Sequence, residues 1–260
     1  MSDLRMIRQV VMLDRLRELS RIHGFWPDEG RMLHHALSEC FGKRTIQPFR
    51  LLRGRNGSKL ATLYGYCCCS DEELKSISAK VAPPEFHELF SPATLQSKAM
   101  PREWQMRQRL AFDLRVVPVR RLMRPAPPWP NLAARSKQYA KGAELDVFLV
   151  DAMRKWPSGI PHSVERAELR QELYLTWLAE RLQPAAELVL EASRVARSRR
   201  ITLLRGKSRQ DRPEAIVHGE LVVTDSQAFT DMVTRGVGRH AAYGFGMLLL
   251  RPPGTVIRNQ

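Results

Sequence analysis

Apolar residues recur along this chain in two rhythms. Ile7, Val10, Val11 and Leu13 fall in a loosely alternating stretch from Arg5 to Leu13, which predicts a first strand. Leu16 to Phe25 reads as a connector closed by Trp26-Pro27. Leu33, Ala36, Leu37, Cys40 and Phe41 then follow the i, i+3, i+4, i+7, i+8 spacing of one buried helical face. Asp28 suits the N-cap of that helix, and Gly42 stops it. Pro48–Arg55 and Leu60–Cys69 are strand-like. Between them Arg53-Gly54-Arg55-Asn56-Gly57-Ser58 carries the Asn-Gly signal of a hairpin. Asp71–Lys80 predicts a helix and Phe86–Leu95 a weaker strand.

Leu110–Leu122 reads as one long strand, with Phe112, Leu114 and Val116 alternating. A proline-rich loop, Arg124 to Pro130, follows and is expected to be extended. Ala143–Trp156 and Ala167–Leu182 predict helices, the second with Leu169, Leu173, Trp177 and Leu178 on one face. Ile201–Leu204 and Ala215–Thr224 predict strands around a basic turn, Arg205–Arg212. An amphipathic segment, Gln227–Val233, precedes a glycine-rich loop and a closing strand, Phe245–Leu250. Each half therefore orders as strand, helix, two strands, helix, strand, without a sequence repeat between them. That order predicts an α+β fold of two tandem ferredoxin-like (βαββαβ, RRM-like) domains, residues 1–105 and 106–260.

Composition narrows the partner. The 260 residues carry a formal charge of +15 and a pI of about 10.3, with 43% hydrophobic residues. That excess calls for a polyanion, nucleic acid first and an anionic membrane surface second. No apolar run nears the ~20 residues of a membrane-spanning helix. The first residues hold no long apolar h-region, so no secretory signal is expected. Cys40 and the triplet Cys67-Cys68-Cys69 form neither a disulfide framework nor a metal knuckle. They suit reduced thiols in the cytoplasm. No cofactor or metal site is expected.

The densest motif is Gly236-Val237-Gly238-Arg239-His240-Ala241-Ala242-Tyr243-Gly244-Phe245-Gly246. It lacks the Lys-Ser/Thr of a Walker A loop and reverses the strand-then-helix order of a dinucleotide fingerprint. Glycines let a backbone approach closely, and free N–H groups with an arginine can cradle phosphate. Gly236, Gly238, Arg239, His240, Gly244 and Gly246 are therefore candidate contacts to a nucleic-acid phosphate. Arg194, Arg197, Arg199, Arg200, Arg205, Lys207, Arg209 and Arg212 flank the hairpin, opposed by Asp211 alone. They suit contact with a nucleic-acid backbone, which the resemblance stated below makes RNA. Arg53 and Arg55 are weaker candidates.

The segment from Arg235 to Leu249 resembles the C-terminal signature of CRISPR-associated endoribonucleases that process repeat RNA. The likeness is closest to the CasE-type enzymes of type I-E systems and extends to the processing enzymes of type IV systems. Leu33-His34 with Ala36-Leu37 resembles their first helix. The resemblance implies metal-free cleavage of precursor CRISPR RNA at the base of a repeat stem-loop. It also implies a protein that can stay with the mature guide in a multi-protein effector complex. Such cleavage uses the neighbouring 2′-hydroxyl as nucleophile and leaves a 2′,3′-cyclic phosphate and a 5′-hydroxyl. It needs proton transfer and positive charge at the phosphorane. His34 is the candidate acid or base, with Arg31 and Ser38 on its flank at 100° per residue. His35 is expected to point further into solvent. In the family a tyrosine often stands one turn before this histidine; here Arg31 holds that slot. His23 and His240 are secondary candidates, and His87, His162 and His218 have no constellation around them. A non-catalytic RNA-binding subunit of the same fold is the rival reading.

Overall fold

The computed structural model describes residues 3–254 apart from 55–56, 127–138, 162–163 and 207. Arg55 and Asn56 of the first hairpin, most of the proline-rich loop, His162 and Lys207 thus lie outside the described residues. Strand β1 (Arg5–Met12) turns Ile7, Gln9 and Val11 inward, as a period of two requires. The buried Gln9 amide donates to the Ser91 carbonyl at 2.9 Å and to Thr94 Oγ1 at 2.8 Å.

The expected connector after β1 is instead a helix, α1 (Leu13–Ile22). Leu13, Leu16 and Leu19 lie on its buried side. It begins directly at the strand's end, with no side-chain cap on Met12 to announce it. Helix α2 (Glu29–Phe41) follows the expected pattern: Asp28 Oδ1 accepts from the Arg31 N–H at 3.0 Å, and Gly42 ends it. Strands β2 (Phe49–Arg53) and β3 (Leu60–Cys67) pair antiparallel. Helix α3 (Asp71–Val81) opens with a Ser70–Glu73 capping box. The strand expected over Phe86–Leu95 is displaced to β4 (Gln96–Ala99). Pro84 and Pro92, which lack a ladder donor, each start a short 3-10 turn ahead of it.

The second half opens with β5 (Arg109–Val116). Pro118 breaks what reads as one strand, and β6 (Val119–Arg121) pairs instead with β7 (Glu144–Asp146) in a small ribbon. The helix expected from Ala143 consequently starts later, as α4 (Val147–Lys155), capped by Asp146. Helix α5 (Arg166–Leu182) matches its expected face, with Trp177 and Leu178 buried. The basic hairpin is much longer than expected: β8 (Ala186–Arg205) and β9 (Ser208–Val223) pair up to Arg205 opposite Ser208. The Arg194–Arg200 run is thus itself strand. Its side chains are mostly exposed, so no hydrophobic alternation marks it. Helix α6 (Ser226–Arg235) and strand β10 (Leu248–Arg251) close the fold.

The sheets order as β2-β3-β1-β4 and β10-β5-β9-β8. Renumbered within each half, these are the same permutation, with every neighbour antiparallel. This is the tandem ferredoxin-like arrangement. One core gathers Ile7, Val11, Leu33, Leu37, Phe41 and Leu63; the other Phe112, Leu114, Trp177, Leu178, Val217 and Phe229.

Polar groups buried where the halves meet hold them in register. Arg50 on β2 donates to Asp113 Oδ1 on β5 at 3.1 Å, and His218 Nε2 on β9 lies 3.2 Å from Asp113 Oδ2. The Tyr66 hydroxyl on β3 donates to the Leu248 carbonyl on β10 at 2.7 Å. Burial by itself would raise the Asp113 carboxyl. The hydrogen bond with His218 and the charges of Arg50 and His218 outweigh it and hold the group below its ordinary value.

Arg50→Ala should therefore cost up to about 3–5 kcal/mol in urea unfolding, the upper end being what a fully uncompensated buried charge costs, because it leaves the buried Asp113 carboxylate with His218 as its remaining charged partner. Since the folded Asp113 is the stronger acid, its contribution is present above the unfolded carboxyl range and fades as pH falls through the folded value. A loss below about 1 kcal/mol, the scale of an exposed pair, would contradict this account.

Candidate functional site

Helix α2 carries His34 and Arg31 toward a pocket of about 360 Å³ lined by Phe25, Arg31, His34, Ser38, Lys43 and Tyr243, among others. His34 is half-buried, and among the described residues no side chain hydrogen-bonds to its ring. The Ser38 hydroxyl donates to the His34 backbone carbonyl at 2.8 Å, so it steadies the helix rather than the imidazole. Burial, then the neighbouring His35 and Arg31 charges, push the His34 pKa down. A neutral imidazole with open ring nitrogens is equipped to take a proton at neutral pH.

Arg31 is tethered rather than free. Its guanidinium lies 4.8 Å over the Phe25 ring, and Nη1 donates to the Gly206 carbonyl at the hairpin tip at 3.0 Å. It borders the pocket with part of its donor set committed. His35 does not point further into solvent as expected. It packs edge-on against His23 at 5.0 Å, Phe25 at 5.7 Å and Phe86 at 5.8 Å. His23 also faces Glu85 at 3.5 Å, which leaves it in that aromatic cluster beside the site.

The glycine loop is strongly shaped by left-handed backbone. A Cβ on Gly246, which has φ +76°, would stand 2.6 Å from the Val237 carbonyl oxygen. The N–H groups of Val237, Tyr243 and Gly246 donate to the carbonyls of Gly246, His240 and Arg115 at 2.8, 2.8 and 2.7 Å. Those three donors are therefore unavailable to a phosphate. Gly236 and Gly244, with φ +81° and +83°, and Gly238, with φ +80°, serve the same loop shape. Arg239 pairs with Glu144. His240, itself left-handed at φ +67°, is largely buried, and its pKa is lowered chiefly by that burial. The loop's product is placement: Tyr243 reaches the α2 pocket, its ring 5.2 Å from that of His34.

The arginines of the hairpin divide between two faces. Cross-strand register places Arg197, Arg199, Arg205 and Arg212 on one face and Arg200 and Arg209 on the other. The first face borders a cleft of about 320 Å³ against β2 and the start of α2. There Arg199 pairs with the buried Glu214, which Arg115 also contacts at 2.6 Å. Arg53, at the end of β2, pairs with Glu29. Arg212 donates to the Glu144 carbonyl at 3.1 Å and to Gln210 at 2.7 Å. Arg194, Arg197, Arg205 and Arg209 are exposed and have no acidic partner among the described residues. Lys207 lies outside them.

Sequence reasoning missed Tyr243, Phe25, Lys43 and Arg44 as pocket residues. Lys43-Arg44 directly after the stop at Gly42 was a readable signal. Tyr243 had none, because its partner helix is about 200 positions away. Among the described residues no group of three or more histidine, cysteine or acidic side chains could hold a metal ion. None of their helices is long and apolar enough to cross a membrane.

A family model described as CRISPR associated protein matches residues 13–252. Among solved structures, the CRISPR endoribonuclease Cse3 bound to a 19 nt RNA aligns at 16% identity, covering 96% of this chain and 100% of that one, with a TM-score of 0.60. Thermus thermophilus Cse3 bound to an RNA representing a pre-cleavage complex aligns at 17% identity over 96% and 100%, with a TM-score of 0.57. Cas6e from Escherichia coli aligns at 18% over 95% and 99%, with a TM-score of 0.51. At these identities the likeness establishes the fold. A comparison with curated proteins finds no significant match.

The site's electrostatics predict one direct observable. The His34 ring, followed by its carbon-bound proton resonances, should titrate below a free histidine, because its cationic form is disfavoured by burial and by positive neighbours. A midpoint at or above the free value would mean that an acidic partner, or open solvent, governs it instead.

Proposed function

Because the chain belongs to the family of CRISPR-associated proteins, we propose that it is a metal-independent endoribonuclease that matures CRISPR RNA. The substrate is the stem-loop of the precursor repeat, cut at its base. The observation that carries this reading is the uncommitted, neutral-leaning imidazole of His34, half-buried between Arg31 and Tyr243 beside the tip of an exposed arginine-bearing hairpin. As the O2′–P bond forms, His34 accepts the 2′-hydroxyl proton, and Arg31 offsets the charge growing on the phosphorane. The P–O5′ bond breaks, and water in the open pocket supplies the proton that the departing 5′-oxygen takes up. The products are a 2′,3′-cyclic phosphate and a 5′-hydroxyl.

The hairpin arginines supply the sequence-independent grip, since A-form RNA presents chiefly phosphates and 2′-hydroxyls to a protein strand. In the same reading, residues 1–105 are the domain bearing the proton-transfer group and residues 106–260 the RNA-gripping domain. The protein works in the cytoplasm without a cofactor. It stays with the mature guide as a subunit of a multi-protein effector complex, as its resemblance to the CasE-type enzymes implies.

Two measurements test this. His34→Ala should slow single-turnover cleavage of a repeat hairpin by about 10²–10⁴-fold, the scale of losing one general acid or base, with affinity retained. The reaction should also run in EDTA. Binding without any cleavage by the wild-type protein would favour a non-catalytic RNA-binding subunit. Cleavage restored only by a divalent ion would remove the metal-free mechanism.

Replacing Arg197, Arg200, Arg205 and Arg209 with alanine should weaken hairpin binding and flatten its salt dependence. The slope of log affinity against log salt should fall by ~0.9 for each phosphate that the variant no longer neutralises. Arg199 is left out of the set because its removal would leave the buried Glu214 with one partner fewer. An unaltered slope would make the four arginines a solvated face only.

A further inference from the structure

The cleavage chemistry asks more of the pocket than one imidazole and one guanidinium. A phosphorane carries charge on two non-bridging oxygens, and a donor aimed at one of them both steadies and orients it. The groups in reach divide by commitment. Arg31 is held by Phe25 and the Gly206 carbonyl. Ser38 donates to the His34 carbonyl. His35 is packed among rings, with Glu39 at 3.9 Å. Lys43 and Arg44 are exposed cations at the rim. The Tyr243 phenol is the one neutral hydroxyl in the pocket without a partner among the described residues.

Its position is tightly set. Tyr243 ends a 3-10 turn, Ala241–Tyr243, bracketed by His240 at φ +67° and Gly244 at φ +83°, both left-handed. Its N–H donates to the His240 carbonyl at 2.8 Å. Its own carbonyl lies against the first turn of α2, where a side chain on Gly30 would collide with it. The ring then meets His34 edge-on at 5.2 Å with an interplanar angle of 71°. Such fixation suits a group that must meet a reacting atom, and a surface tyrosine would need none of it.

We infer that Tyr243 is a catalytic residue whose hydroxyl donates a hydrogen bond to a non-bridging oxygen of the scissile phosphate, holding that phosphate against His34. This rests on the reading of the His34 pocket as the cleavage site. The phenol donates throughout; no bond to it forms or breaks. The site is then completed across the two halves of the chain.

The test is Tyr243→Phe in the full-length protein, assayed under single turnover in EDTA on a repeat hairpin. Removing the hydroxyl but keeping the ring should slow cleavage by about 10²-fold, the scale of losing one oxyanion donor, with affinity and melting temperature unchanged. Sulfur accepts hydrogen bonds poorly. One diastereomer of a phosphorothioate at the scissile position should therefore slow the wild type more than it slows Tyr243→Phe. A merely structural role would leave that difference equal in both proteins. Wild-type cleavage by Tyr243→Phe, or a deficit found only in Tyr243→Leu, would reduce the residue to packing and overturn the inference. His34→Ala inactive with Tyr243→Phe fully active overturns this inference alone; a wild type that never cuts overturns it together with the proposed function.

Discussion

The carboxylate of Asp28 serves two elements at once. Its Oδ1 accepts from the Arg31 N–H and caps α2, while its Oδ2 accepts from the Leu204 N–H near the hairpin tip at 2.9 Å. The side chain is buried, so each bond is hard to replace with water. Hydrogen bonds to a charged group contribute about 1.5–3 kcal/mol, and a buried acceptor left unpaired costs comparably. The start of the helix that presents His34 and the far end of the arginine strand are therefore set by one group. Arg31 repeats the link from the other side by donating to Gly206. The bare backbone at Gly30 lets the glycine loop settle against the same turn. Three segments far apart in sequence thus converge on the first turn of α2.

That convergence explains how basic residues are distributed. A chain with a charge of +15 cannot leave every arginine free without self-repulsion. The structure sorts them. Arg50, Arg115 and Arg199 neutralise buried carboxylates and fix the packing between elements. Arg197, Arg205 and Arg209 stay exposed along the hairpin. The distinction is set by the faces that strand alternation creates, and a count of arginines along the sequence does not reveal it.

Much of the fold was legible because its signals are local. The α2 face, the Asp28 cap and the stop at Gly42 all follow from spacing and turn chemistry. What was not legible depends on distant partners or on missing punctuation. Helix α1 follows β1 without a cap or a breaker. Strand β8 runs through an exposed arginine stretch in which neither face is apolar enough to alternate. At the site, the helical wheel put His35 further into solvent than His34, whereas both histidines line the α2 pocket. It could not see that His35 would be taken up by His23, Phe25 and Phe86. Nor could the glycine motif disclose its own purpose: several of its N–H groups bond within the protein, and what it delivers to the pocket is a side chain.

The β8–β9 hairpin is rooted in the second sheet at one end and pinned to α2 at the other. A ribbon fixed only at its base is a cantilever, and its free end swings under load. Supported at both ends it behaves as a beam, whose deflection under the same load is far smaller. The span cannot lift away from the helix without breaking the Asp28 bond. Any load along the strand is therefore shared with the first turn of α2, the helix that carries His34.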